Sequence, residues 1–139
     1  MKKKIVSVVS MVLLLCMVFS TNLYASEFAR ETITLGKNQT WNIRQVVPRT
    51  MKYSVAYTRC YAVYPLDGGS DTFTKIKAQL RTSDKSTVIS NTITLYETFT
   101  DITPITIKEG YLNSSSIRFA FSGNNPDYAA NADVYYYGN

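Results

Sequence analysis

The fold is decided by residues 52–64, whose sequence is KYSVAYTRCYAVY. β-Branched and aromatic residues dominate this stretch, and such side chains fit the pleated, half-buried surface of a β-strand. Neither set of alternate positions is polar throughout, which predicts a central strand of a sheet. At about 3.3 Å per residue the run would span about 43 Å, so we expect a bulge or bend near Thr58 and Arg59.

Alternating patterns also surround this run. Residues 73–82 are the clearest case, because Ile76, Ala78 and Leu80 alternate with polar residues. No segment keeps an apolar stripe at helical spacing over ten residues. The other predicted strands cover residues 32–35, 40–46, 88–97, 102–107, 117–121 and 130–137.

Proline positions indicate where strands end or lie at an edge. Proline has no backbone N–H to donate, so Pro48 is expected to close the second strand and Pro104 to place residues 102–107 at a sheet edge. Residues 65–71, PLDGGSD, are rich in turn formers and are predicted to be a loop.

Seven or eight short strands separated by turn signals predict an all-β protein. The expected architecture is a small antiparallel β-sandwich, immunoglobulin-like or jelly-roll-like, and a small closed barrel is the alternative. We expect the last two strands to form an antiparallel hairpin. In that register Phe121 lies opposite Ala130 on the inner face and Arg118 lies opposite Asp133 on the outer face.

The first 25 residues have the composition of an export signal. Three lysines precede a mostly apolar run over residues 5–19, and a polar stretch then ends at Ala25. This order is that of a secretory signal peptide, and the apolar run is shorter than the roughly 18 to 20 residues that span a bilayer. The sequence therefore predicts a bacterial-type signal peptide over residues 1–25 and one secreted, extracellular domain over residues 26–139, with no membrane span in the mature chain.

Composition argues against several kinds of chemistry. The chain has no histidine, which removes histidine-based triads, Cys-His dyads and His-ligated zinc. Without the signal, 12 basic and 10 acidic residues remain, so a nucleic-acid partner is not expected. The loop at residues 65–71 lacks the ligand spacing of an EF-hand, and no pair of carboxylates stands out as a glycosidase pair. We expect no enzyme activity, no metal and no cofactor.

Cysteine usage bears on the oligomeric state. Cys16 would leave with the signal, so Cys60 is alone in the mature chain and cannot form an intramolecular disulfide. We expect a buried, inert thiol in a monomer. A dimer linked through Cys60 is the alternative in an oxidising compartment.

This sequence is unusually rich in tyrosine, and ten of its eleven tyrosines follow the predicted signal peptide. Tyr135 and Tyr137 alternate with apolar positions and share a strand face with Asn131 and Asp133, so both rings should point outward. Two rings about 6 to 7 Å apart along a strand suit stacking on sugars or anchoring a protein partner. The alternative is that the rings pack under a loop or against Arg118.

These features predict a secreted, non-enzymatic binding module, with Tyr135 and Tyr137 as the candidate binding residues. Its target would be a cell-envelope or extracellular glycan, or a surface protein. A secreted bacteriocin-like antibacterial protein is the alternative, and an unusual hydrolase is a third.

The cleavage site can be tested directly. We expect the exported chain to begin at Ser26, because Ala25 is the small residue that closes the polar stretch after the apolar run. Intact-mass measurement of the exported protein gives the answer. A mass that retains residues 1–25 would contradict secretion by cleavage.

Overall fold

The computed structural model describes residues 28–66 and 74–139. The predicted signal peptide, with Ala25 and Ser26, and most of the predicted loop at residues 65–71 lie outside the described residues. Within the described ranges, two short 3-10 turns, Lys37–Gln39 and Glu109–Tyr111, accompany eight strands. The strands are β1 (Ala29–Leu35), β2 (Asn42–Pro48), β3 (Val55–Pro65), β4 (Lys75–Thr82), β5 (Ile93–Tyr96), β6 (Thr103–Thr106), β7 (Ser116–Gly123) and β8 (Ala130–Tyr137).

The strands form two antiparallel sheets of four, in the orders β1-β8-β3-β6 and β2-β7-β4-β5. The prediction of an all-β chain with about eight antiparallel strands is therefore confirmed. β3 is an internal strand and β6, which contains Pro104, is an edge strand, as the sequence indicated. Neither of the short helices within residues 28–66 and 74–139 has the length and apolar character needed to cross a membrane.

The predicted hairpin of the last two strands is wrong. β7 pairs with β2 and β4, whereas β8 pairs with β1 and β3, so the two strands lie in different sheets. Their apolar faces meet across the core, where the rings of Phe119 and Tyr136 are 4.9 Å apart. Arg118 donates from Nη1 to the Arg44 carbonyl at 2.8 Å, while Asp133 accepts a hydrogen bond from Thr32. The alternation of apolar and polar residues is the same whether β7 and β8 pair in one sheet or face each other across the core. In both arrangements the apolar face of each strand is buried.

Two strand details also differ from the sequence prediction. The bulge in β3 falls between Cys60 and Ala62, not near Thr58 and Arg59. The predicted strand at residues 88–97 is regular only over Ile93–Tyr96. Its first part crosses between the sheets, because Ser90 forms a bridge with Ile107 while its hydroxyl accepts the Leu80 N–H at 2.8 Å.

One hydrophobic core collects the buried side chains of both sheets. Tyr136, Phe119 and Phe121 are its largest fully buried members. The hydroxyl of Tyr136 donates to Glu31 Oε1 at 2.5 Å, and Arg44 of β2 forms an ion pair with the same carboxylate. Burial, and then the hydrogen bond to Glu31, raise the pKa of Tyr136. This polar cluster joins β1 and β8 to the opposite sheet.

Cys60 is a free thiol that is fully buried in this core. Burial, reinforced by the carboxylates of Glu97 and Asp133, raises its pKa to about 12. A thiol in this environment has little thiolate character and no access to a partner chain in the folded state.

The burial of Cys60 predicts that native protein resists thiol reagents. At pH 8 a thiol-reactive dye should label the folded mature chain only as fast as it unfolds, and should label one thiol per chain in denaturant. Mass spectrometry of the labelled protein measures both states. Rapid labelling of folded protein, or a disulfide-linked dimer on a non-reducing gel, would show that Cys60 is accessible.

The turn after β4 is organised by one carboxylate. Asp84 accepts hydrogen bonds from the Thr82 hydroxyl and from the Ser86 backbone N–H, the latter at 3.0 Å. The Ser86 hydroxyl also donates to Asp84 Oδ1, at 2.9 Å. These hydrogen bonds lower the pKa of Asp84 to about 2, because each favours the charged form.

The lowered pKa of Asp84 predicts how stability changes with pH. Since the folded pKa lies below the unfolded value of about 3.9, the carboxylate stabilises the fold above about pH 4, and this contribution is lost as pH falls toward about 2. Urea midpoints of the native chain and of Asp84→Ala should therefore differ at pH 6 and converge near pH 2. Between about pH 5.5 and 7.5 the native midpoint should stay nearly constant, because no histidine titrates. A difference between the two proteins that is equal at pH 6 and pH 2 would contradict this assignment.

Candidate functional site

The outward side of the sheet β1-β8-β3-β6 carries a continuous set of aromatic and arginine side chains. The strand register aligns them in two rows across the sheet. In the first row Arg30 lies opposite Tyr135, which lies opposite Arg59. The second row contains Tyr137 opposite Tyr57. We call this surface the aromatic–arginine face, and it comprises Phe28, Arg30, Tyr57, Arg59, Tyr61, Phe99, Ile102, Tyr135 and Tyr137.

Tyr135 is flanked by two guanidinium groups. The guanidinium carbon of Arg59 is 4.5 Å from the centre of the Tyr135 ring, and that of Arg30 is 5.4 Å away. Because β8 lies between β1 and β3, the two arginines come from the strands on either side of Tyr135. Both also lie within 6 Å of the Tyr61 ring, at 5.7 Å for Arg30 and 5.9 Å for Arg59. Cation–π attraction holds the four side chains together.

Tyr137 is flanked in a similar way by aromatic rings. Its ring centre is 5.3 Å from that of Phe28 and 6.4 Å from that of Tyr57, whose plane is nearly parallel to it. At the far side of the face, Phe99 meets Tyr61 edge to face at 4.9 Å. Each ring is therefore positioned by its neighbours.

Two shallow clefts open on this face. The first, of about 220 Å³, is lined by Phe28, Arg59, Ile102 and Tyr135. The second, of about 320 Å³, shares the walls Phe28 and Ile102 and is completed by the two tyrosines of the second row. These volumes lie at or below the lower end of the roughly 300 to 1,000 Å³ that is usual for small-molecule pockets. The clefts suit a side chain or a short segment better than an enclosed ligand.

The arginines of the face have no direct acidic partner in the described parts of the chain. Within residues 28–66 and 74–139, neither Arg30 nor Arg59 has a carboxylate at ion-pair distance. Arg59 donates from Nη1 to the Phe99 carbonyl at 2.9 Å. Its Nε is buried and has no hydrogen-bond acceptor in the described parts of the chain.

The neighbouring carboxylates are already engaged within the chain. Asp133 accepts the Thr32 hydroxyl at 2.6 Å. Glu97 Oε2 accepts the Val63 N–H at 3.0 Å, next to the bulge of β3. Neither carboxylate forms an ion pair with Arg30 or Arg59.

The structure places the predicted residues Tyr135 and Tyr137 together on the outward side of the sheet, where both are half-buried. The alternative of packing against Arg118 is wrong, because Arg118 lies in the other sheet. The cations that contact Tyr135 are Arg30 and Arg59, which sequence reasoning did not include. Their alternating positions were visible in the sequence, but the strand partners that bring them together were not.

The face can act by non-covalent contacts, through ring edges, phenol hydroxyls and guanidinium N–H groups. Among the residues that the structure describes, no three metal-ligating side chains of the His, Cys, Asp or Glu type lie together. No family model, no curated protein and no solved structure matches this chain. The site is therefore interpreted from its own geometry.

Proposed function

We propose that this chain is a secreted, non-enzymatic binding protein that acts through the aromatic–arginine face. In this proposal the two sheets form an immunoglobulin-like or jelly-roll-like β-sandwich, released by a bacterial-type signal peptide as a monomer. Its target is a macromolecule of the cell envelope or the extracellular space. The observation that carries the proposal is the pairing of Arg30 and Arg59 around Tyr135 on an open sheet surface.

The composition of the face supports binding. Tyrosine and arginine are enriched at the energetic centres of protein interfaces, and tyrosine combines an apolar ring with a polar tip. Phe28, Phe99 and Ile102 surround these residues and are 41%, 65% and 48% exposed. Apolar side chains that cluster with such exposure mark interaction surfaces more often than scattered single residues do.

The restricted conformations of the side chains on the aromatic–arginine face also support binding. The rings and guanidinium groups contact one another, so they lose little conformational freedom when a partner binds. Preorganisation of this kind increases affinity because the entropy cost of ordering is met during folding.

Replacing the two candidate tyrosines tests the proposal. The double variant Tyr135→Ser and Tyr137→Ser should weaken association of the labelled protein with washed cell envelopes of its source by about tenfold or more, because both rings leave the centre of the face. Sedimentation of the envelopes measures the bound fraction, and a urea midpoint measures folding.

The matched control is the double variant Tyr53→Ser and Tyr96→Ser. These tyrosines are 53% and 64% exposed and lie outside the face, so the control should bind normally. If the Tyr135 and Tyr137 variant loses stability but binds as tightly as the control, the rings are structural and the proposal is wrong.

A further inference from the structure

We propose that the aromatic–arginine face binds an acidic, extended segment of a protein. A carboxylate of that segment lies on Arg30 and Arg59, and an apolar side chain lies in the clefts between Phe28 and Ile102. This inference rests on the proposed binding function and specifies the partner.

Charge complementarity indicates an anionic partner. Arg30 is exposed, and its guanidinium group lies near the rings of Tyr61 and Tyr135 but forms no hydrogen bond or ion pair with the described residues. Arg59 also lies within 6 Å of both rings, and in the described parts of the chain its side chain makes one hydrogen bond, to the Phe99 carbonyl. Guanidinium groups held by rings keep their outer N–H groups available for a carboxylate, with little entropy left to lose.

The nearby acids do not cancel this charge by direct pairing. Each accepts a hydrogen bond from an uncharged group of the chain, and none forms an ion pair with Arg30 or Arg59. Asp133 accepts from the Thr32 hydroxyl, Glu97 from the Val63 N–H, and Asp101 from the Thr100 hydroxyl.

The geometry of the rings favours a protein segment over a glycan. Stacking on a sugar needs an open ring face, and two guanidinium carbons already lie 4.5 and 5.4 Å from the centre of the Tyr135 ring. Tyr137 likewise lies between Phe28 and Tyr57. The walls of the clefts expose almost only apolar atoms of the rings and of Ile102, so most sugar hydroxyls placed there would lack partners. An apolar side chain meets no such cost.

The distance between the arginine row and the aromatic row predicts a sequence pattern in the bound protein segment. The arginine row and the aromatic row are two residues apart along β8, which is about 6 to 7 Å. Side chains at positions i and i+2 of an extended peptide have the same separation and point the same way. We therefore expect an acidic residue and an apolar residue separated by one position.

Selection from a displayed library of random peptides of about twelve residues tests this inference. Mature protein is the target, and the double variant Arg30→Gln and Arg59→Gln serves for counter-selection. Enriched peptides should carry the acidic-x-apolar pattern. A synthetic peptide of that sequence should bind the double variant at least about tenfold more weakly, because two charge-assisted contacts are lost. Its binding should also weaken between about 50 and 500 mM salt.

Two further proteins control for folding and for general charge. Arg30→Gln alone changes an exposed side chain, so it should fold normally and still bind more weakly than the native protein. Arg81→Gln removes a charge from the other sheet, where the Arg81 side chain donates a hydrogen bond to the Lys85 carbonyl. This variant should bind the peptide within about twofold of the native protein.

Enrichment that is equal on the native protein and on the double arginine variant would overturn the inference. So would binding of a chitin hexamer or of polygalacturonate that is lost in the Tyr135 and Tyr137 variant, since the target would then be a neutral or an anionic glycan. That second result would leave the proposed binding function intact. Envelope association that is unaffected by any change on the face would instead overturn the proposed function itself.

Discussion

The packing of Tyr136 in the core determines how the rest of this molecule is arranged. Its ring lies 4.9 Å from Phe119 and 5.8 Å from Phe121, both of the opposite sheet. Because successive side chains of a strand point to opposite faces, an inward Tyr136 places Tyr135 and Tyr137 on the outward side of the sheet. Core packing and the candidate site are therefore two consequences of one strand orientation.

The buried hydroxyl of Tyr136 imposes a second requirement. A phenol removed from water needs a hydrogen-bond partner, and a carboxylate in the same position needs a cation. Glu31 meets the first need and Arg44 the second, and these residues come from strands of different sheets. The cluster thus fixes the position of β1 relative to β2. It also holds β1 where Arg30, the neighbour of Glu31, reaches the outward face.

On the outward face of the sheet, as in the core, aromatic and charged side chains are held in place by contacts with one another. Rings and guanidinium groups satisfy one another by cation–π and edge contacts, which orders them without enclosing them. The carboxylates nearby are engaged by Thr32 and by the bulge of β3. Tyr61 lies in the bulge between Cys60 and Ala62 and is within 6 Å of both arginines. Glu97 accepts the Val63 N–H just beyond this bulge.

Alternation along each strand was sufficient to determine much of this protein from sequence. It indicated the all-β class, the approximate extent of most strands, the edge position of Pro104 and the outward direction of Tyr135 and Tyr137. These properties depend on residues close together in the chain. The hairpin of β7 and β8 was predicted wrongly because the pattern records which face is buried, not which strand lies alongside. Only the tertiary structure decided that Arg30 and Arg59 flank Tyr135, since that contact joins three strands distant in sequence and depends on strand order.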